Sequence, residues 1–227
     1  MTERESYLWT AIAGIATVAA TMVAIAIFLS VGPPDESDSG PQVAAFFADN
    51  RMPVLIALYC AAIGTGVNLA FYLLLRDVFR RLDAGVETLA ALGVAGGITF
   101  IAIVFTAFGV LAQMAFREGA GDPQTYRTLM DVYALMLVMS GLPTAVSLIA
   151  ISLAVLRTQL FPSWLAWYGF AVAAVHLVSA GSFARDGFFT PTIVAGTIAP
   201  VLFELWVLAI CVVLLMRPRD ERATKKT

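Results

Sequence analysis

The chain is predicted to be an all-α, polytopic transmembrane helix bundle with six spans and both termini cytoplasmic, and three observations carry that reading. Of its 227 residues, 60% are hydrophobic and only 13% are charged, with a mean hydropathy of +0.86; a soluble domain is roughly 45–50% apolar and about 25% charged. The apolar residues gather in six runs, each near the roughly 20 residues needed to cross a hydrocarbon core about 30 Å thick. Lysine and arginine divide unequally between the connections, which sets an orientation.

The runs cover residues 7–31, 52–75, 88–116, 129–156, 163–182 and 192–216, with a basic tail over 217–227. Backbone in lipid must satisfy its own hydrogen bonds, and runs of this length without two-residue alternation do not suit barrel strands, so each is read as a helix. The first run exceeds the roughly 7–15 apolar residues of a secretory signal and carries Pro33 behind its small residues Ser30 and Gly32, so it is read as an uncleaved span. The connection after it, GPPDESDSGPQVAAFFADNR, opens as an acidic turn. It closes either as a short amphipathic helix presenting Val43, Phe46 and Phe47 to the interface or as a plain solvated loop. Without tandem soluble repeats or low-complexity tracts, residues 1–227 read as one integral membrane domain.

With the N-terminus inside, the inner segments hold ten basic residues: Arg4, Arg76, Arg80, Arg81, Arg157, Arg217, Arg219, Arg222, Lys225 and Lys226. The outer segments hold four, Arg51, Arg117, Arg127 and Arg185. This asymmetry puts both ends in the cytoplasm. Tyr7, Trp9, Tyr72, Trp164, Trp167 and Tyr168 fall at the inner ends, where amphipathic rings prefer the headgroup level. A formal net charge of −2 excludes a nucleic-acid binder, so the lipid bilayer is the expected partner.

Small residues at four-residue spacing, Ala16, Ala20 and Ala24 in the first span and Gly93 and Gly97 in the third, favour close helix packing. Polar residues form helical stripes: Thr65, Asn68 and Tyr72; Thr99, Thr106 and Gln113; Tyr133, Ser140, Thr144 and Ser147. Each stripe is expected to face a partner helix or a cavity.

Glu204 stands at the middle of the last run, about 18 Å along the helix from Thr192, and is the one acidic residue at mid-membrane. An ionised carboxylate is costly in hydrocarbon, and no lysine or arginine lies within a span, so the neutral acid is expected. Pro200 has no amide for the carbonyl of Gly196, which predicts a kink beside the acid, and Pro143 suggests a similar defect in the fourth span. Asp131, near the outer end of that span, suits a helix N-terminal role. The sole histidine, His176, misses Glu204 by about 9 Å on a simple depth count, which leaves their pairing open.

Several chemistries lack their residues. Schiff-base function needs a lysine in a span, and one histidine cannot supply a zinc or di-iron site, so no metal and no cofactor are expected. Cys60 and Cys211 lie about 12 Å and 29 Å from the outer ends of their spans, too far apart to bridge, and read as small buried hydrophobes. No phosphate-binding glycine loop, nucleophile elbow or HExxH motif is present.

The segments LRTQLFPSWLAWYGF and FELWVLAICVVLLMRP resemble a widespread family of bacterial six-helix membrane proteins described only as a domain of unknown function. Pro162, Trp164 and Leu165 match its penultimate helix, with Ala166 where that family has glycine. Glu204 and Trp206 match the Glu upstream of Trp in its last helix, at closer spacing. The resemblance is clearest over residues 140–217 and implies the fold and a bacterial membrane location, with no activity.

The candidate site is therefore a polar intramembrane cavity around Glu204, with His176, Asn68, Ser140, Thr144 and Thr106 as ligand-binding or proton-handling residues. The expected role is ligand-binding or permease-like, toward an unknown small molecule. Against a permease, no inverted repeat is visible. The alternative is a non-catalytic accessory or scaffold subunit that serves a membrane-protein partner, and an intramembrane enzyme stands third.

Overall fold

The computed structural model describes residues 2–158 and 161–216. The basic tail over 217–227 lies outside the described residues. The chain is all-α, 85% helical, with no strand among the described residues. Its helices are α1 (Glu3–Ser30), α2 (Gly40–Asp49), α3 (Arg51–Leu82), α4 (Glu87–Phe116), α5 (Pro123–Thr158), α6 (Ser163–Ser179) and α7 (Pro191–Leu215). Five of them, α1, α3, α4, α5 and α7, are long and apolar enough to cross a membrane. The remaining apolar helix, α6, has 17 residues and stops at Ser179, short of the expected 182, as the chain turns through Ser182 N–H to the Ser179 carbonyl (3.0 Å).

Helix ends are set by capping rather than by where the apolar run stops. Asp122 accepts from the Thr125 amide at 3.1 Å and precedes Pro123, so α5 starts six residues before its apolar run. Asp131 is consequently in the second turn beyond the start and pairs with Arg127, not with the helix terminus. At the other end of the bundle α3 continues past its apolar run to Leu82, and there Asp77 holds Arg80 (2.8 Å) and Arg81 (2.7 Å). The short helix in the first connection exists, but Val43 and Phe47 turn inward, fully buried. They pack with Leu111, Met114 and Tyr126 and not with the lipid interface.

Each long helix packs on its neighbours in sequence, and α7 returns to α1. The result is a closed ring in the order α1, α3, α4, α5, α6, α7, of the kind that short connections produce. Three close approaches fix it. A side chain at Gly96 of α4 would meet the Pro143 carbonyl of α5 at 2.6 Å, and one at Gly141 of α5 would meet the His176 carbonyl of α6 at 2.6 Å. Tyr72 fills the space beside Gly97. It is 1% exposed and belongs to the core, not to the headgroup level, while Trp9, Trp164 and Trp167 are the exposed aromatics of that group. On α1 the inner face is Ser6, Thr10, Gly14 and Thr17, and Ala16 faces outward.

The two segments that carried the family resemblance meet each other. The Trp206 indole donates to the Leu165 carbonyl (3.3 Å), and the Tyr168 hydroxyl donates to the Leu202 carbonyl (3.2 Å). These bonds clasp α6 to α7.

Because α5 approaches the α6 backbone so closely at Gly141, Gly141→Ala is expected to destabilise the protein by about 1–3 kcal/mol through overpacking. Gly109→Ala, where nothing lies within 4 Å of the added carbon, is expected to be neutral or slightly stabilising. Thermal unfolding of both variants in the same lipid nanodisc measures the difference.

Candidate functional site

Pro200 removes one backbone donor from α7, and the helix responds upstream with a π-helical turn over Val194–Ile198. The Ala199 amide reaches back five residues to Val194, and the Thr197 hydroxyl donates to the Thr192 carbonyl (3.1 Å). The expected defect beside the acid is thus a widened turn. Pro143 makes none: α5 stays helical across it, with its carbonyl against Gly96.

The ring encloses a cavity of about 170 Å³. Asn68 of α3, Ser140 of α5, His176 of α6 and Glu204 of α7 all line it. They come from four different helices and are 2%, 7%, 5% and 5% exposed. The hydrophobic walls include Phe28, Phe108 and Phe203, and the cavity extends to Pro33, Pro34 and Thr192 at one end of the bundle.

Its polar groups are incompletely paired. Asn68 Oδ1, His176 Nε2 and Glu204 Oε2 have no hydrogen-bond partner among the described residues. Thr21 of α1 lies beside the Glu204 carboxyl group. The Ala199 backbone lies beside the His176 imidazole, and the ring stands edge-on to Phe203 at 6.3 Å between centroids. Glu204 and His176 share the cavity without bonding each other, which answers the question that the depth count left open. Ser140, by contrast, is satisfied by the Leu137 carbonyl (2.7 Å).

Two of the sequence candidates do not belong to this cavity. Thr144 is buried but stands behind the lining, with its hydroxyl on the Ser140 carbonyl (2.8 Å). Thr106 is exposed on the outer side of α4 and donates to its own helix at the Ala102 carbonyl (2.8 Å). Thr99 and Gln113 are exposed with it, so the stripe on α4 is an outward face. A threonine that bonds the carbonyl four residues back needs no inward partner. The cavity instead includes Thr17 and Thr21 of α1. Their four-residue spacing, continuing Thr10 and Ser6 seven and eleven residues before Thr17, was the available signal.

Residues 31–39 form a strap at the cavity's end. The Glu36 carboxylate accepts from both the amide and the hydroxyl of Thr192 (2.7 Å each), at the N-terminus of α7, where negative charge is favourable. Arg127 donates to the Asp35 (2.7 Å) and Asp38 (3.2 Å) carbonyls. The Ser37 hydroxyl and amide hold the Asp35 carboxyl below the usual carboxylate range.

These features define an integral membrane protein, a helix ring with a polar-floored internal cavity. The chain belongs to the family described as Domain of unknown function (DUF4386), whose model matches residues 6–217. No curated protein and no solved structure matches it.

Replacing the two pins together, Glu36→Ala with Arg127→Ala, is expected to free the strap. Amide hydrogen exchange over residues 31–39 should then rise by at least about tenfold, the equivalent of roughly 1.4 kcal/mol of lost closure. Exchange in the middle of α5 should stay as in the unaltered protein.

Proposed function

We propose that this protein binds a small, mostly apolar molecule inside the membrane, in the cavity that Asn68, Ser140, His176 and Glu204 line. The observation that carries this reading is the cavity itself, lined by Asn68, His176 and Glu204, each of which holds a buried polar atom without a partner among the described residues, with a pinned strap at its end. Clefts of this kind, mainly hydrophobic with a few converging polar groups, are the usual form of small-molecule sites. A buried polar group left unpaired costs about 1–3 kcal/mol, and the meeting of three residues that carry such groups at one cavity favours a ligand over a scaffold role. Transport is a weaker reading, because the sequence shows no inverted repeat of the kind that marks transporters.

The wider arrangement belongs to the same proposal. Residues 1–227 form one domain of six spans, with α6 as the shortest, in a bacterial inner membrane. The N-terminus, the 83–86 connection, the 159–162 connection and the C-terminus are cytoplasmic. Charge supports this: the Arg76, Arg80 and Arg81 group clusters at the end of α3 opposite the strap.

Alkaline phosphatase fused after residues 37, 120 or 186 should be active, and green fluorescent protein fused after residue 216 should fluoresce. The opposite pattern at any of these positions overturns the six-span topology.

Access to the cavity is tested with Ser140→Cys in a Cys60→Ser, Cys211→Ala background. A small uncharged thiosulfonate should label the introduced thiol at least about tenfold faster than it labels buried Cys211 in the natural chain. Equal, negligible labelling of the two would mean a sealed bundle and would remove the ligand-binding reading.

A further inference from the structure

We infer that the cavity selects a lipophilic monocation, a protonated primary or secondary amine carried on a compact apolar or aromatic body. This inference rests on the ligand-binding reading and adds the chemical class.

The unpartnered atoms decide the polarity of the ligand. Asn68 Oδ1 accepts hydrogen bonds and never donates them. A neutral His176 that donates to the Ala199 backbone through its other ring nitrogen keeps Nε2 as an acceptor. Glu204 Oε2 is the third acceptor once the acid ionises. Unpaired acceptors on Asn68, His176 and Glu204 favour a ligand with N–H donors, and an ammonium group carries two or three with no acceptor of its own.

Charge points the same way. A buried carboxylate is tolerated when a cation pairs with it. No lysine or arginine lines the cavity among the described residues, so the protein does not supply that cation. A ligand bearing one positive charge completes the pair, whereas an anion would face Glu204 uncompensated. The walls are also suited to a cation, because the rings of Phe28, Phe100, Phe108, Tyr133 and Phe203 all line the same space. At the cavity's end the strap carries Asp35, Glu36 and Asp38, against Arg127 alone among the basic groups bonded to it. That acidic excess draws cations toward the opening. The cavity of about 170 Å³ is comparable with one of about 150 Å³ that holds a benzene ring, so a body of about one substituted ring suits it.

The test uses 2-phenylethylamine, protonated at neutral pH, and its uncharged isostere 2-phenylethanol, titrated calorimetrically into the full chain in nanodiscs of neutral phosphatidylcholine. The amine should bind at least about tenfold tighter than the alcohol, the range expected for one desolvated charge pair. The trimethylammonium analogue, which keeps the charge and loses the donors, should fall between the two. Glu204→Gln should abolish the preference for the amine, and Asn68→Leu should weaken the amine more than the trimethylammonium compound. Because the unsubstituted protein already gives the amine-to-alcohol ratio, misfolding of a variant does not remove the test. Equal or tighter binding of the alcohol, or an unchanged preference in folded Glu204→Gln, overturns the assignment. If the Ser140→Cys variant labels but the amine does not bind, the chemical class fails while the ligand-binding reading stands. If that variant is inert to the thiosulfonate as well, both fail.

Discussion

Inside a bilayer no water is present to complete a hydrogen bond, so every polar atom in the ring must find its partner in protein. Most do so at short range. Thr10, Thr17, Thr99, Thr106, Thr144 and Thr158 each donate to the carbonyl four residues earlier on their own helix. Such a hydroxyl is satisfied whichever way its helix face points. Amide, imidazole and carboxyl groups cannot close on their own backbone so easily. That difference separates Asn68, His176 and Glu204 from the back-bonded threonines. The hydroxyls of Ser6, Tyr72, Tyr126, Ser152 and Ser182 are also left without a partner among the described residues, but Asn68, His176 and Glu204 occur together in one space.

The same constraint explains which parts of the fold and site could be read from the sequence. Apolar length gave the long helices, because only helices satisfy lipid-exposed backbone over such runs. It misjudged their ends, since Asp122, Thr2 and the Asp77 ion pairs extend helices beyond the apolar stretch into charged sequence. The inward stripes on α3 and α5 were readable, as Asn68 and Ser147 are groups that must be buried or paired. On α4 the same argument failed at Thr99, Thr106 and Gln113, because back-bonded threonines tolerate lipid and Gln113 sits near the helix end. The aromatic rule failed at Tyr72 for a steric reason: Gly97 leaves a hollow that the ring fills.

The relation between Glu204 and His176 could not be read from depth. Counting residues assumed that the two helices face each other at Ser182 and Thr192, but α6 ends at Ser179 and the His176 ring stands 6.3 Å from that of Phe203, next to the acid. The π turn over Val194–Ile198 shifts the rise by only about one residue. Nor could composition reveal that the strap and the last helix are one unit. Glu36 and Thr192 are 156 positions apart, and their hydrogen bonds exist only because the ring brings α7 back to α1.

Ring closure and cavity also depend on each other. Gly96 and Gly141 let α5 approach α4 and α6 to backbone contact, while the Trp206 and Tyr168 bonds hold α6 to α7. With those contacts short, the remaining width of the ring is set on the α1 side, where Gly14 meets Cys211 and Gly64 meets Thr21. Helices packed this closely around their rim cannot all meet at the axis, so a gap is left there. Asn68, Ser140, His176 and Glu204 border that gap. Tight packing at the rim and polar groups left unpaired at the centre are thus two consequences of one arrangement, and a substitution that loosens the rim should change the cavity before it unfolds the chain.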